Sequence, residues 1–260
     1  MQWRLIEDGP LRGPENMERD LAIATDVAAG RCAPTLRLYA WSPPAVSIGR
    51  HQTEETACDA AACRAAGWDV VRRPTGGRAV LHAADEVTYS VAMPLAQAPA
   101  GVLAAYAWLA QALVGAYRRL GLPAELAAGK HLAVRSGACF DAPAAHEIVV
   151  GGRKLAGSAQ VRRAGYLLQH GSMPVTFDPA LHARLLGLPP EAEGLLARQG
   201  AGIRDFLDPP PDRAEIVRAV AAGFVQALGI VFENAAALGR VVPGRSGGSA
   251  ALSAGRAQGG

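Results

Sequence analysis

The sequence predicts an α+β domain in which mixed and antiparallel sheets are flanked by helices. Three observations predict it. Strand-like runs come in groups and do not alternate one for one with helices. A long alanine-rich helical stretch over 101–120 interrupts them. The middle of the chain then breaks into short β pieces separated by glycines, with Gly151-Gly152 as a two-residue hairpin signal.

Each element follows from local chemistry. Residues 9–30, GPLRGPENMERDLAIATDVAAG, read as a turn and then a helix, with Asn16 as N-cap and Glu18, Arg19 and Asp20 in the first turn. TLRLYAW (35–41) and AVSIG (45–49) are strands divided by Ser42-Pro43-Pro44. Thr56 to Ala66 is a helix stopped by Gly67, on which Cys58 and Cys63, five apart, do not face each other. WDVVRR (68–73) and VTYSVAM (87–93) are strands. Val102, Tyr106, Leu109, Leu113, Ala116 and Leu120 give the long helix one apolar stripe, opposite a side that is mainly alanine. Three C-terminal helices are predicted over 179–186, 190–197 and 211–228, the last opened by Pro211-Asp212 and closed by Gly229.

Composition bounds what such a domain can be. With 260 residues, half of them hydrophobic and 19% charged, the chain can bury about 70% of its extended surface without disulfides or metals. The four cysteines (Cys32, Cys58, Cys63, Cys139) lack paired CxxC spacing. The opening MQWRLIEDGPLRG holds acidic residues and no apolar run, and the uncharged stretch around 97–117 is mostly alanine with Gln97, Pro99, Gly101 and Gln111 inside it. Neither suits export or membrane insertion, so a cytoplasmic protein is expected, with no membrane partner. The formal charge of +3 resides in Arg240, Arg245 and Arg256; without them the chain is balanced, and no nucleic-acid partner is expected. Only Lys130 and Lys154 are lysines among 26 basic residues, so a lysine here marks a place where a compact ammonium is wanted.

Three glycine-rich neighbourhoods can carry chemistry. In Arg72-Arg73-Pro74-Thr75-Gly76-Gly77-Arg78-Ala79-Val80-Leu81-His82, consecutive glycines let backbone amides approach an anionic or nucleotide-like ligand beside three arginines. The same residues also suit a tight strand connection. In Gly151-Gly152-Arg153-Lys154-Leu155-Ala156-Gly157-Ser158-Ala159-Gln160, Lys154 can aim its ammonium past small neighbours at a carbonyl or carboxylate, or simply sit on an exposed strand. In Ser136-Gly137-Ala138-Cys139-Phe140-Asp141, Cys139 is either a reachable thiolate or an inert buried thiol. His82, His146 and His170 are scattered candidates for a base. No metal is expected, since His131 and His146-Glu147 are too loosely placed for zinc. No Rossmann or Walker spacing is present.

Taken together, GPENMERD (13–20), WSPPAVSIGRHQ (41–52), RRPTGGRAVLH (72–82), DEVTYS (85–90), GACFDAPAAHEIVVGGRKLAGSAQ (137–160) and LLQHGSM (167–173) resemble the lipoate-protein ligase and octanoyltransferase family of the biotin/lipoate ligase fold. The resemblance implies a catalytic domain over 1–235, related to class II aminoacyl-tRNA synthetases, with a tunnel for a medium-length acyl chain. Residues 236–260, rich in Gly, Ala, Ser and Arg, lie outside it and are expected to be disordered.

What the resemblance implies for individual residues is specific. Lys154 matches the family lysine at the acyl carbonyl, and Cys139 matches the cysteine that the thioester-forming transferases acylate, which favours transferase over ATP-dependent ligase. Asp141 and Pro143 follow the transferase pattern, whereas Ala144 and Ala145 depart from it. Arg73, Gly76, Gly77, Arg78, Ala79, His82, Gly157, Ser158 and Ala159 are the implied substrate-binding residues. No cofactor and no nucleotide are implied. The donor is octanoyl-acyl carrier protein, which a patch of Arg72, Arg73, Arg78, Arg162 and Arg163 can steer. The acceptor is an apo lipoyl-domain protein such as the glycine cleavage H protein. The alternatives are an ATP-dependent lipoate ligase, an amidotransferase between lipoyl domains, and a non-catalytic acyl- or biotin-binding module.

Overall fold

The computed structural model describes residues 1–127 and 147–233. In chain order it gives β1 (Gln2–Leu11), α1 (Gly13–Ala28), β2 (Thr35–Trp41), β3 (Ala45–Ile48), α2 (Glu54–Ala57), α3 (Ala60–Ala65), β4 (Asp69–Arg72), β5 (Val80–His82) and β6 (Val87–Pro94). Then come α4 (Val102–Arg119), β7 (Glu125–Leu126), β8 (Ile148–Val150), β9 (Arg153–Lys154), β10 (Gly157–Arg163), β11 (Tyr166–Met173), α5 (Pro179–Leu185), α6 (Glu191–Gln199), α7 (Arg213–Leu228) and β12 (Val231–Phe232).

The main sheet has the order β10-β11-β6-β2-β1-β12 and is mixed: β1 runs parallel to both β2 and β12, while β2, β6, β11 and β10 pair antiparallel. Two three-stranded sheets, β4-β3-β5 and β7-β8-β9, complete the α+β architecture that the sequence predicts. The period of two along a strand explains the two faces of the main sheet. Leu36, Leu38, Tyr89, Val91 and Leu167 point to one face, where they pack with Leu109, Leu113 and Phe224 of α4 and α7. Those helices approach so closely that a Cβ on Gly223 would lie 2.3 Å from the Ala112 carbonyl. The opposite face, under α1, is polar: Arg37, Tyr39, Thr88, Ser90, His170 and Ser172 are all buried there.

The Gly151-Gly152 hairpin is present between β8 and β9, with both glycines at positive φ (57° and 78°), which only glycine adopts without strain. The last helix starts and stops where predicted: the Asp212 side chain accepts from the Glu215 amide, and Gly229 closes the helix in the left-handed conformation.

Four expectations are corrected. Asn16 is not an N-cap; α1 begins at Gly13, and Asn16 is buried within it, donating to the Leu11 and Ala40 carbonyls at 3.3 and 3.0 Å. The helix expected over 56–66 is split, because Asp59 caps a new helix by accepting from the Ala62 amide. After that break the Cys63 thiol donates to the Leu185 carbonyl at 3.6 Å, and burial pushes the thiol up to about 12. On α4, Leu109, Leu113 and Ala116 of the expected stripe are buried together with the flanking Ala105 and Ala112, but Val102 at its start is exposed. The strands β1 and β12 were not anticipated, since β1 carries Gly9 and Pro10 and bulges between Glu7 and Pro10.

Candidate active site

A narrow cavity of about 40 Å³ lies between the polar face of the main sheet and the small β4-β3-β5 sheet. Its floor is made by Met17, Tyr39, Trp41, Ser47 and Thr88, all at most 5% exposed. Its outer edge is formed by Gly77, which is exposed, and by Ser158 and Ala159, which are half-buried. Gly157, Gly171 and Ser172 line the β10-β11 side.

Each wall is pinned by hydrogen bonds. His82 Nε2 lies 2.8 Å from Ser47 Oγ and its Nδ1 lies 2.7 Å from Glu86 Oε1. Glu86 also accepts from the hydroxyls of Thr88 and Ser172, the latter at 2.6 Å. The Trp41 indole donates to Thr88 Oγ1 at 2.8 Å, and its ring stacks on His82 at 4.1 Å. A carboxylate that only accepts places a proton on His82 Nδ1.

A second network anchors the glycine-rich loop to the sheet. His170 Nε2 is 2.7 Å from Thr75 Oγ1, and its Nδ1 is 3.4 Å from Asp20 Oδ2. Asp20 is held by Arg37 (2.8 Å), Tyr39 (3.1 Å) and Ser90 (2.7 Å). Burial alone raises the Asp20 carboxyl, but the His170 hydrogen bond and the Arg37 charge reverse this and leave it below its usual range. Burial lowers His170, with Asp20 opposing only in part. His170 is therefore a neutral ring donating from Nδ1 and accepting the Thr75 hydroxyl at Nε2.

The guanidinium of Arg73 is buried and clamps the same loop. It donates to the carbonyls of Gly76 (2.8 Å), Arg78 (2.6 Å) and Ser47 (2.8 Å). This corrects its expected place in a surface patch: an arginine 4% exposed and turned to backbone carbonyls does not steer a distant partner. Arg72 and Arg163 are exposed.

At the mouth, a chain of side chains ends on Ser158. Gln160 Nε2 donates to Gln169 Oε1 (2.9 Å), Gln169 Nε2 to Tyr89 Oη (2.8 Å), and Tyr89 lies 2.7 Å from Ser158 Oγ. With Tyr89 accepting from Gln169, its own proton goes to Ser158, whose hydroxyl proton is left for the cavity. Burial holds the Tyr89 phenol at about 12, so it stays a donor at neutral pH.

Lys154 is fully buried, with Nζ 2.6 Å from Glu147 Oε1. This excludes the exposed-strand alternative for the lysine. Of the other residues singled out in the sequence, Arg73, Gly77, His82, Gly157, Ser158 and Ala159 line the cavity. Gly76 and Arg78 serve through their carbonyls, which hold Arg73. Ala79 packs with Val46, Ile48 and Leu81 behind the cavity and is not a lining residue. Cys139, Asp141 and His146 lie outside the described residues. Sequence reasoning missed Ser47, Glu86, Glu147 and the Asp20-Arg37 pair. The available signal was Arg37 inside the apolar strand TLRLYAW, where a buried cation demands an acidic partner.

Residues 12–225 match the family described as the lipoyl protein ligase A/B catalytic domain. The chain belongs to the lipoyl protein ligase A/B catalytic-domain family. Among relatives in this family, the octanoyltransferase LipM of Symbiobacterium thermophilum is 44% identical over 239 residues, covering 88% of this chain and 87% of its own. The octanoyltransferase LipM of Moorella thermoacetica is 40% identical over 242 residues, covering 88% of each chain. Lipoate-protein ligase A bound with ATP superimposes with a TM-score of 0.69 at 26% identity, over 89% of this chain and 87% of that one. The bipartite lipoate protein ligase of Thermoplasma acidophilum gives a TM-score of 0.68 at 25% identity, over 89% and 86%. The lipoyl protein ligase fold is thus shared with ligases, while the higher identity is to octanoyltransferases. Among the described residues, no helix is long and apolar enough to cross a membrane.

Proposed function

We propose that this chain is an acyltransferase that moves an octanoyl group from acyl carrier protein to the lysine of a lipoyl domain, through a thioester on Cys139. The observation that carries the reading is the 44% identity to an octanoyltransferase across 88% of the chain. A cavity with a buried floor and an open edge supports it.

The Cys139 thiolate attacks the thioester carbonyl of the carrier-bound octanoyl group. The carrier's sulfur leaves and takes up a proton, and Cys139 holds the chain as a new thioester. One thioester replaces another, so no nucleotide is consumed. The lipoyl-domain amine then attacks, the Cys139 sulfur leaves, and the amide that forms is more stable than the thioester it replaces. Lys154 is assigned to the carbonyl oxygen as negative charge develops there, and the Ser158 hydroxyl is a second donor; removal of one such donor typically costs 10²–10³ in rate. Gly77, Gly157 and Ala159, backed by the Arg73 clamp and by His82, form walls for the alkyl chain. Burying its methylenes contributes about 0.8 kcal/mol each, about 5 kcal/mol in all.

The donor and acceptor proteins follow from the same reading. Acyl carrier protein is acidic, and exposed Arg72 and Arg163 present cations to it. The acceptor is an apo lipoyl-domain protein of the glycine cleavage H type.

The test is transfer in a purified mixture of this chain, octanoyl-acyl carrier protein and apo lipoyl domain without ATP, read by the mass of the acceptor. Octanoylation of the acceptor is expected. Modification only from free octanoate with ATP would make the chain a ligase, and modification only from an octanoylated lipoyl domain would make it an amidotransferase.

A further inference from the structure

The floor of the cavity is also the wall of a second depression. On the outside of α1, Pro14, Met17, Glu18, Leu21, Ala22 and Val71 line a groove open to solvent. Of the described residues that line the cavity, Met17 is the one that also lines this groove. The Met17 side chain is thus a wall common to the buried site and to this surface groove.

We propose that Met17 is the partition that sets the longest acyl chain accepted, and that the α1 groove receives the distal carbons of longer chains when the partition is withdrawn. This rests on the acyl-transfer reading above. The neighbouring floor residues are fixed in place by polar contacts. Tyr39 is bonded to Asp20 (3.1 Å), Trp41 to Thr88 (2.8 Å) and Ser47 to His82 (2.8 Å), so none yields without losing a buried hydrogen bond. Met17 is 5% exposed and is held only by apolar packing on Tyr39, Trp41, Ala45 and Val71. An unbranched thioether with three rotatable bonds is the one floor element that can be removed or moved without disturbing that network. In the groove that Met17 borders, Leu21 and Ala22 offer apolar surface, whereas Glu18, Asp26 and Arg31 form a polar rim. Extra methylenes emerging past residue 17 thus meet a hydrophobic strip, and only a longer chain needs it.

The test is the ratio of dodecanoyl to octanoyl transfer from the corresponding acyl carrier proteins, with the affinities of free dodecanoate and octanoate measured in parallel by titration calorimetry. In wild type the octanoyl group is strongly preferred. Met17→Ala raises the dodecanoyl-to-octanoyl ratio at least tenfold in both measurements, and Met17→Val gives the same direction if the alanine variant does not fold. Adding Leu21→Glu to Met17→Ala places a charge in the groove and removes the dodecanoyl gain, while octanoyl values stay those of Met17→Ala. A ratio unchanged within twofold in the folded variants overturns the partition. A gain in dodecanoate affinity from a protein that transfers no octanoyl group upholds the partition and overturns the transferase reading, so the two failures are distinguishable.

Discussion

Lys154 and Glu147 form a buried ion pair, Nζ to Oε1 at 2.6 Å, with the lysine side chain fully enclosed and the carboxylate about one-tenth exposed. Removing one partner of such a pair strands the other charge, at a typical cost of about 3–5 kcal/mol. Lys154→Met is therefore expected to lower the melting temperature and to cut transfer by about 10²–10³-fold. The double variant Lys154→Met/Glu147→Gln separates the two effects. It should recover most of the thermal stability and none of the activity. Recovery of both would reduce Lys154 to a structural role.

The loop clamp gives a second expectation. Arg73 presents a planar fork to the carbonyls of Gly76, Arg78 and Ser47, and a lysine ammonium cannot satisfy the three together. Arg73→Lys is expected to release the glycine-rich loop and raise KM for the acyl donor by about 10–100-fold, the equivalent of one or two lost charged hydrogen bonds. Steady-state kinetics with octanoyl-acyl carrier protein reads this directly. A change in salt dependence alone, with KM at low salt intact, would return Arg73 to a steering role.

Gly171 offers a probe of the mouth. A Cβ there would lie 2.5 Å from the Tyr89 ring and 2.6 Å from Ser158 Oγ. Gly171→Ala should displace Ser158 and break its contact with Tyr89. The expected result is a fall in kcat of about tenfold or more with a folded protein by circular dichroism, a fraction of the effect of losing a whole oxyanion donor. Ser158→Ala should reproduce it; a fully active Ser158→Ala removes the hydroxyl from the mechanism.

Asp20 and His170 make stability acid-sensitive. The folded-state pKa of His170 is depressed, so between that value and the free histidine value of about 6.5 the unfolded chain binds more protons, and stability rises with pH. The contribution is complete above about 6.5 and is lost as pH falls toward the folded-state value. His182, also lowered by burial, adds to the same slope. The depressed Asp20 carboxyl acts at lower pH: its contribution is present above about 3.9 and vanishes as pH drops through its folded-state value. Urea denaturation of wild type against His170→Asn between pH 5 and 7 checks the sign; a steeper slope in the variant would contradict it.

Much of this was legible in the chain, and the parts that were not share a physical cause. Gly151-Gly152, the β10-β11 pair and the last helix are specified by neighbours in sequence: a turn that needs positive φ, an alternating pattern, an Asp cap. The strand β1 is specified by distant partners, Thr35–Trp41 on one side and Val231–Phe232 on the other, and its own residues include Gly9 and Pro10. The glycine-rich loop was identified as a ligand wall from its residue types, and Gly77 and His82 do line the cavity. Arg73 was misread as a surface charge because the carbonyls that hold it come from the turn itself and from Ser47, 26 residues earlier. Ser47, Glu86 and Asp20 lie within segments that carry the family resemblance, but nothing in those segments assigned them a role. They matter through pairing with His82, Arg37 and His170, which sequence spacing does not reveal.

The central claim is the acyl-enzyme on Cys139, and intact-mass spectrometry tests it most directly. After mixing with octanoyl-acyl carrier protein in the absence of an acceptor, the wild-type protein should gain one octanoyl group that hydroxylamine removes, and Cys139→Ala should gain none. A Cys139→Ala protein that still acquires the group, or that transfers it to a lipoyl domain at the wild-type rate, would contradict covalent catalysis at this residue.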